Sequence, residues 1–275
     1  MPNPLERNSL WRFVLTIGLV WLGAAVCLAQ RLPIRQYTVA DGLAQGTVWA
    51  MHQDARGFLW LATSDGLSRF DGYRFTNYKK SEGLNYFRVY DVTADRQGRI
   101  WMATGEGVSL LLDQTEAARQ GKKFNNFLLS AENKTEGVNE TLRVFFDAEN
   151  RMWVLTYTEL FRARSTKVVT GQFERLAEFD VANTPPQILQ DRRGRLWAAV
   201  NQQLRCIEGG NVITYELWQG GETKGLPELR WIKGMVELAD GRIQIATNKG
   251  LYEFIEPAAA GQRGSWRRLP LALPP

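Results

Sequence analysis

Histidine occurs once in this chain, at His52, and cysteine twice, at Cys27 and Cys206. That scarcity removes several chemistries at once. A Ser-His-Asp or Cys-His arrangement needs a base beside a nucleophile, and nothing in the sequence specifies one. A metal centre needs grouped His, Cys or carboxylate ligands, which are also missing. No Gly-Lys motif for cradling a phosphate is present. The 34 Lys and Arg are interspersed with 29 Asp and Glu, a net charge of +5 without a basic stripe. Such a mixed, solvated surface excludes a nucleic-acid footprint, so no nucleic-acid partner is expected. Long hydrophobic runs are also lacking. The longest, "FVLTIGLVWLGAA" from Phe13 to Ala25, is short against the about 20 residues of a membrane span. Arg7 and Arg12 flank it, and small Cys27 and Ala29 precede Gln30. Residues 1–29 therefore read as a signal peptide, with an uncleaved anchor as the alternative. Bulky Val26 argues against lipidation of Cys27. The exported chain is expected in the periplasm or cell envelope. With the leader gone only Cys206 is left, so no intrachain disulfide can form and packing alone must hold the fold.

What is present is repetition. "DARGFLWLATSDGLSRFDG" begins at Asp54, and "DRQGRIWMATGEGVSLLLD" begins at Asp95. Anchored on Asp54, Asp95, Asp147, Asp191 and Leu238, five units lie 41, 52, 44 and 47 residues apart, near the length of one four-stranded propeller blade. Six residues after the anchors stand Trp60, Trp101, Trp153, Trp197 and Gln244. Eight after stand Ala62, Ala103, Leu155, Ala199 and Ala246, and nine after Thr63, Thr104, Thr156, Val200 and Thr247. Thirteen after, the column is apolar throughout: Leu67, Val108, Leu160, Leu204 and Leu251.

Each column has a physical reading. Asp54 to Gly57, Asp95 to Gly98 and Asp191 to Gly194 are tight hairpin turns. Asp hydrogen-bonds its own turn, and Gly supplies a positive φ. Asn150 takes the Gly place in the third unit, the residue that best tolerates the left-handed region. Runs such as "VWAMHQ", "FLWLATS", "GLSRF" and "YRFTNY" are short strands bounded by turn residues. The fold class is therefore all-β: a β-propeller of four-stranded antiparallel blades, with cores near residues 48–78, 89–128, 141–178, 185–217 and 232–269. The Trp column fills space between sheets and the Ala column permits their approach. His52 shares its column with Thr93, Phe145, Leu189 and Val236, which makes it a packed histidine.

The strand count does not close. Fourth-strand candidates number six: Ile34–Val39, Tyr73–Tyr78, Phe124–Leu128, Phe173–Glu178, Val212–Leu217 and Trp266–Leu269. The surplus at the front leads to the expectation of an incomplete ring, with direct closure of five blades as the alternative. "DQTEAARQGKK" from Asp113 is an insert, either a short helix or a loop. At "TPPQ" from Thr184, two prolines that cannot donate to a ladder delay the strand that follows.

The stretch "GLAQGTVWAMHQDARGFLWLATSDGLSRFDG" resembles the repeat of the two-component regulator propeller family, and the other units match with decreasing fidelity down to Gln244 in the fifth. The resemblance implies the periplasmic sensor portion of a membrane-bound histidine kinase, often a hybrid sensor-regulator in bacteria that degrade polysaccharides. It further implies more blades, an immunoglobulin-like domain, a membrane helix and cytoplasmic signalling domains as partners, none of which is in this chain. Only the sensing half of that function carries over: a non-enzymatic propeller with no cofactor and a small-molecule or oligosaccharide ligand. Two other classes stay open, a protein-interaction scaffold and a propeller lyase or hydrolase.

Constant columns build blades, so specialisation belongs to variable ones. Five residues before the anchors stand Trp49, Tyr90, Leu142, Pro186 and Lys233; four before stand Ala50, Asp91, Arg143, Gln187 and Gly234. These positions open the innermost strands, where a propeller's central funnel has its mouth. Trp49 and Tyr90 can stack on a sugar ring. Asp91, Arg143, Gln187 and Lys233 can bond hydroxyl or acidic groups. These six are the candidate ligand-binding residues. The competing reading is that they hydrate or line the channel.

Overall fold

The structure, a computed structural model, describes residues 34–129, 139–164, 172–179, 186–200, 203–209, 211–216, 232–248, 250–256 and 265–270. The chain divides into Met1–Tyr37 and Thr38–Pro275, and the second unit carries every sheet. The expected leader and its cleavage position lie outside the described residues.

Five four-stranded antiparallel sheets follow in chain order. Blade 1 is β1 (Val48–Gln53), β2 (Leu59–Thr63), β3 (Gly66–Phe70) and β4 (Phe75–Tyr78). Blade 2 is β5 (Val89–Ala94), β6 (Ile100–Thr104), β7 (Gly107–Leu111) and β8 (Phe124–Phe127). Blade 3 is β9 (Thr141–Phe146), β10 (Met152–Thr156), β11 (Glu159–Ala163) and β12 (Phe173–Glu178). Blade 4 is β13 (Gln187–Gln190), β14 (Leu196–Val200), β15 (Gln203–Glu208) and β16 (Asn211–Glu216). Blade 5 is β17 (Ile232–Glu237), β18 (Ile243–Thr247), β19 (Gly250–Ile255) and β20 (Ser265–Leu269). Within each blade every strand pairs with its sequence neighbours, antiparallel throughout.

The front strand Ile34–Val39 does not form. Residues 34–38 are irregular, and Val39–Asp41 is a 3-10 turn. A β-rich segment becomes a strand only where a ladder partner meets it, and among the described residues none pairs with this one. What the front segment "YTVADGL" from Tyr37 shares with "NYKKSEGL" from Asn77 is the handover turn. Lys80–Glu82 is the same 3-10 turn, and Gly42 and Gly83 end the two at φ 102° and 101°. The insert of blade 2 is a helix, α1 (Gln114–Gln120), whose N-terminus Asp113 caps by accepting from the Glu116 N–H at 2.8 Å. β13 starts after Pro186, as the two prolines require.

The anchor column does more than turn the chain. Asp95 Oδ1 accepts from the backbone of Gln97 (3.0 Å) and Arg99 (2.9 Å), and its Oδ2 accepts from Arg99 Nε (2.6 Å) and the Trp101 indole (2.9 Å). Asp54, Asp147 and Asp191 repeat this, each taking the indole N–H six residues on at 2.8–3.0 Å. All four carboxylates are buried. Burial by itself would raise the Asp191 carboxyl, but the Trp197 and Arg195 donors outweigh it and hold it below the ordinary range. The Trp column is thus both a packing residue and a hydrogen-bond donor to its own turn. The Thr column closes the next hairpin: the Thr63, Thr104 and Thr247 hydroxyls donate to the carbonyls of Gly66, Gly107 and Gly250 at 2.8–2.9 Å.

Four apolar clusters occupy the four joints between consecutive blades. Trp60 and Leu67 meet Val89 and Met102; Trp101 and Val108 meet Val144 and Val154. Trp153 and Leu160 meet Leu196 and Ala198, and Trp197 and Leu204 meet Ile243 and Tyr252. Ala62, Ala103 and Ala199 are fully buried in these joints, where a larger side chain would hold the sheets apart. Cys206 is a buried free thiol in the last cluster, pushed up to about 12 by burial and so held protonated.

Candidate functional site

The five-before column has a backbone explanation. In blade 1 the pairing of β1 with β2 skips one residue between Val48 and Ala50, which leaves Trp49 as a bulge. The same skip leaves out Tyr90 in β5, Leu142 in β9 and Lys233 in β17. In blade 4 the position is Pro186, just outside the ladder. A bulge frees one residue from pairing and re-aims its side chain, which is why this column tolerates Trp, Tyr, Leu, Pro and Lys alike. The variable chemistry of the column reflects a backbone device repeated blade by blade.

The structure brings four of the six candidate residues into two inter-blade pairs. Trp49 and Tyr90 face each other with ring centroids 5.7 Å apart at 59°. Trp49 is 41% exposed, and its indole donates to Ser64 Oγ at 2.9 Å. Tyr90 is buried, and its hydroxyl accepts from Arg88 Nη1 at 3.0 Å and donates to Glu140. Burial, with the Glu140 bond, pushes the phenol up to about 12. Arg88 and Glu140 immediately precede β5 and β9 and escaped sequence reasoning. Their signal is their place two residues ahead of the bulge in each blade.

Asp91 and Arg143 form the second pair, at 3.7 Å with side chains 15% and 21% exposed. Asp91 Oδ2 accepts from the backbone of Val144 (3.1 Å) and Oδ1 from that of Val92 (3.0 Å), so this carboxylate clamps β5 to β9. Burial lifts it to about 6, against the pull of Arg143 and the two amides. Arg143 Nε donates onward to the carbonyl of Pro186 at 3.2 Å, which ties blade 3 to blade 4. Gln187 is half-buried at the start of β13, and Lys233 is exposed in β17. The mouth therefore holds an aromatic end at blades 1 and 2 and an ionic tie running from blade 2 to blade 4.

His52 is half-buried on β1 opposite Trp60. Burial lowers its pKa and nearby Asp54 opposes that, which leaves the ring neutral at pH 7. Among the described residues no three His, Cys, Asp or Glu side chains are grouped as a metal ion would need. No described helix is long and apolar enough to cross a membrane.

The family model for the two component regulator propeller matches residues 42–65, the handover turn with β1 and β2 of blade 1. A 47-residue stretch is 43% identical to Histidine kinase P4 of Formosa agariphila, over 17% of this chain and 3% of that protein. An extracellular domain assigned to a hybrid two component system of B. thetaiotaomicron superposes with a TM-score of 0.59 at 22% identity, over 83% of this chain and 31% of that one. A second B. thetaiotaomicron extracellular domain, assigned to a one component system, gives 0.59 at 16%, over 85% and 33%. Virginiamycin B lyase from Staphylococcus aureus gives 0.58 at 11% identity, over 82% and 71%. This chain is thus a propeller similar in fold to these extracellular domains, and spans about a third of their length. The lyase likeness shows that the fold alone does not set the chemistry.

Proposed function

We propose that this propeller is the ligand-sensing part of an extracytoplasmic two-component sensor, with a saccharide-like ligand at the mouth of the innermost strands. The observation that carries the reading is the Trp49–Tyr90 pair. Two rings from adjacent blades sit beside an arginine and a carboxylate at Arg88 and Glu140, one ring open to solvent and the other fixed by its hydroxyl. Open aromatic faces bind the apolar face of a sugar ring, and the flanking charged groups bond its hydroxyls. A ligand there would touch both blade 1 and blade 2, so occupancy would couple to the joint between them. Periplasmic placement and a membrane-bound kinase partner belong to the same proposal.

Calorimetry and Trp fluorescence against a panel of neutral oligosaccharides test it. Trp49→Ala should weaken binding of any hit about tenfold or more. Arg143→Ala should lower stability more than affinity, because its bonds already go to Asp91 and Pro186. An unchanged affinity for Trp49→Ala would overturn the site.

A second reading, a protein-interaction scaffold, is favoured by one observation. Val48, Met51 and Leu59 leave apolar surface open on blade 1, with Met51 70% exposed. A propeller surface of that kind suits a protein partner. Met51→Glu would abolish complex formation under the scaffold reading and leave saccharide binding intact under the first.

A further inference from the structure

The fifteen-after column holds Arg69, Leu110, Arg162, Cys206 and Glu253, each on the third strand of its blade. The fourth strand supplies the residue opposite. Arg162 faces Glu174 and bonds it, Nη2 to Oε2 at 2.8 Å. Glu253 faces Arg267 and bonds it, the same pair with the signs exchanged. Leu110 faces Asn125, and Cys206 faces Ile213, both neutral. Arg69 faces Thr76. Blade 1 alone carries a charge in this column without its counter-charge.

Among the described residues Arg69 has no carboxylate or carbonyl acceptor, and its Nε is buried without a hydrogen-bond partner. The guanidinium lies over the rings of Phe58 and Trp60, at 4.8 Å and 5.9 Å from their centroids, which fixes its plane. A part-desolvated cation held in one orientation favours an anion over water. It lines a cleft of about 1140 Å³ between blades 1 and 2, at the turn end of β1 and β5. Four carboxylates line the cleft and none bonds Arg69: Asp113 caps α1 by accepting from the Glu116 N–H, and Glu116 pairs with Arg119. Asp54 accepts from the backbone of Arg56 and Phe58, the Trp60 indole and Arg56 Nη2, and Asp95 likewise has four donors. Four bonds fill a carboxylate's acceptor sites, so neither can turn to Arg69. Tyr78, Leu112 and Phe127 supply apolar wall beside these charges, and the volume far exceeds a single carboxylate.

We propose that this cleft is a second binding site, which takes a carboxylate-bearing ligand whose carboxylate pairs with Arg69 as Glu174 pairs with Arg162. The ligand class is an acidic small molecule with a ring or apolar body, of which a uronic-acid saccharide is the testable example. The site is separate from the Trp49–Tyr90 mouth. Trp49 lies near the start of β1 and Asp54 just past its end, five residues or about 17 Å of strand apart.

Calorimetry with tri-galacturonate and its methyl ester, the same sugar with and without charge, tests the proposal on the intact chain. Tri-galacturonate should bind at least about tenfold tighter than the ester, and Arg69→Gln should erase the difference. Thr76→Glu supplies the carboxylate in cis, so it should abolish tri-galacturonate binding and raise the thermal midpoint. Thr76→Gln, of equal size, should do neither. Trp49→Ala should leave tri-galacturonate binding unchanged, which separates failure of this site from failure of the mouth. Equal binding of acid and ester, or full binding by Thr76→Glu, overturns the proposal.

Discussion

Blades 1 to 4 and blade 5 reach the same turn by different chemistry. In the first four, a buried carboxylate gathers two backbone N–H groups, an arginine and an indole. In blade 5 the anchor is Leu238, and Gln244 replaces the Trp. The turn nonetheless survives: Leu238 N–H bonds the Arg242 carbonyl at 2.8 Å, and Gly241, at φ 84°, bonds back to Leu238 at 3.0 Å. Asp240, now exposed, pairs with Arg242 at 2.6 Å. The backbone hairpin is therefore sufficient for the turn, and the Asp–Trp pair is an added fastening. Both members vanish together in blade 5, as expected for two groups that satisfy each other. A buried Asp without its indole, or a buried indole without its acceptor, leaves an unpaired polar atom.

The largest expected effect contrasts the two kinds of anchor. Asp95→Ala strands two amides and the Trp101 indole in the joint between blades 2 and 3, and should cost about 3 kcal/mol or more in urea unfolding. Asp240→Ala, in the exposed pair of blade 5, should leave the midpoint unchanged. Equal losses would mean that the buried carboxylate is not what distinguishes the blades. Next in size, Trp101→Phe keeps a ring but removes the donor and some volume, for a loss of about 2 kcal/mol; Gln244→Ala should stay within about 0.5 kcal/mol.

The comparison can also be sharpened by transplant. Leu238→Asp with Gln244→Trp should restore the fastening and gain about 1 kcal/mol, whereas each change alone should destabilise. Additive single and double effects would show that the pair is not a unit. The smallest effect concerns pH. Asp91, lifted to about 6 by burial, holds its proton more tightly when folded, so its contribution is complete below the ordinary carboxylate value near 4 and is lost as pH rises through 6. The stability of the parent relative to Asp91→Asn should therefore fall between those values. Asp54 and Asp191, both lowered, act with the opposite sign and lose their contribution as pH falls below the ordinary range. A flat difference profile would show that Asp91 is already solvated.

Much of this architecture was legible because the chain repeats itself. Asp, Gly, Trp and Ala columns announce turns, strands and joints, and the five sheets lie where those columns put them. The front strand was misread because "IRQYTV" has strand composition and a familiar handover after it. Strand formation is decided by a partner, which composition does not reveal. The mouth was legible only in part. Varying columns pointed to Trp49, Tyr90, Asp91 and Arg143, but Arg88 and Glu140 lie outside the aligned strands and were found by the Tyr90 hydroxyl.

The sequence by itself determined the blade: its length, its turns and its buried Trp and Ala, all set by local hydrogen bonds and by period-2 patterning that the residues carry with them. Tertiary structure alone decided which charges are satisfied. Arg69 and Arg162 occupy the same column and look alike in sequence, and only the register of the fourth strand sets Thr76 against one and Glu174 against the other. The same holds for Asp91, whose identity as a clamp follows from the Val144 amide of the next blade. Pairing across strands and blades is a matter of distance in space, and that distance is fixed only when the sheets have packed.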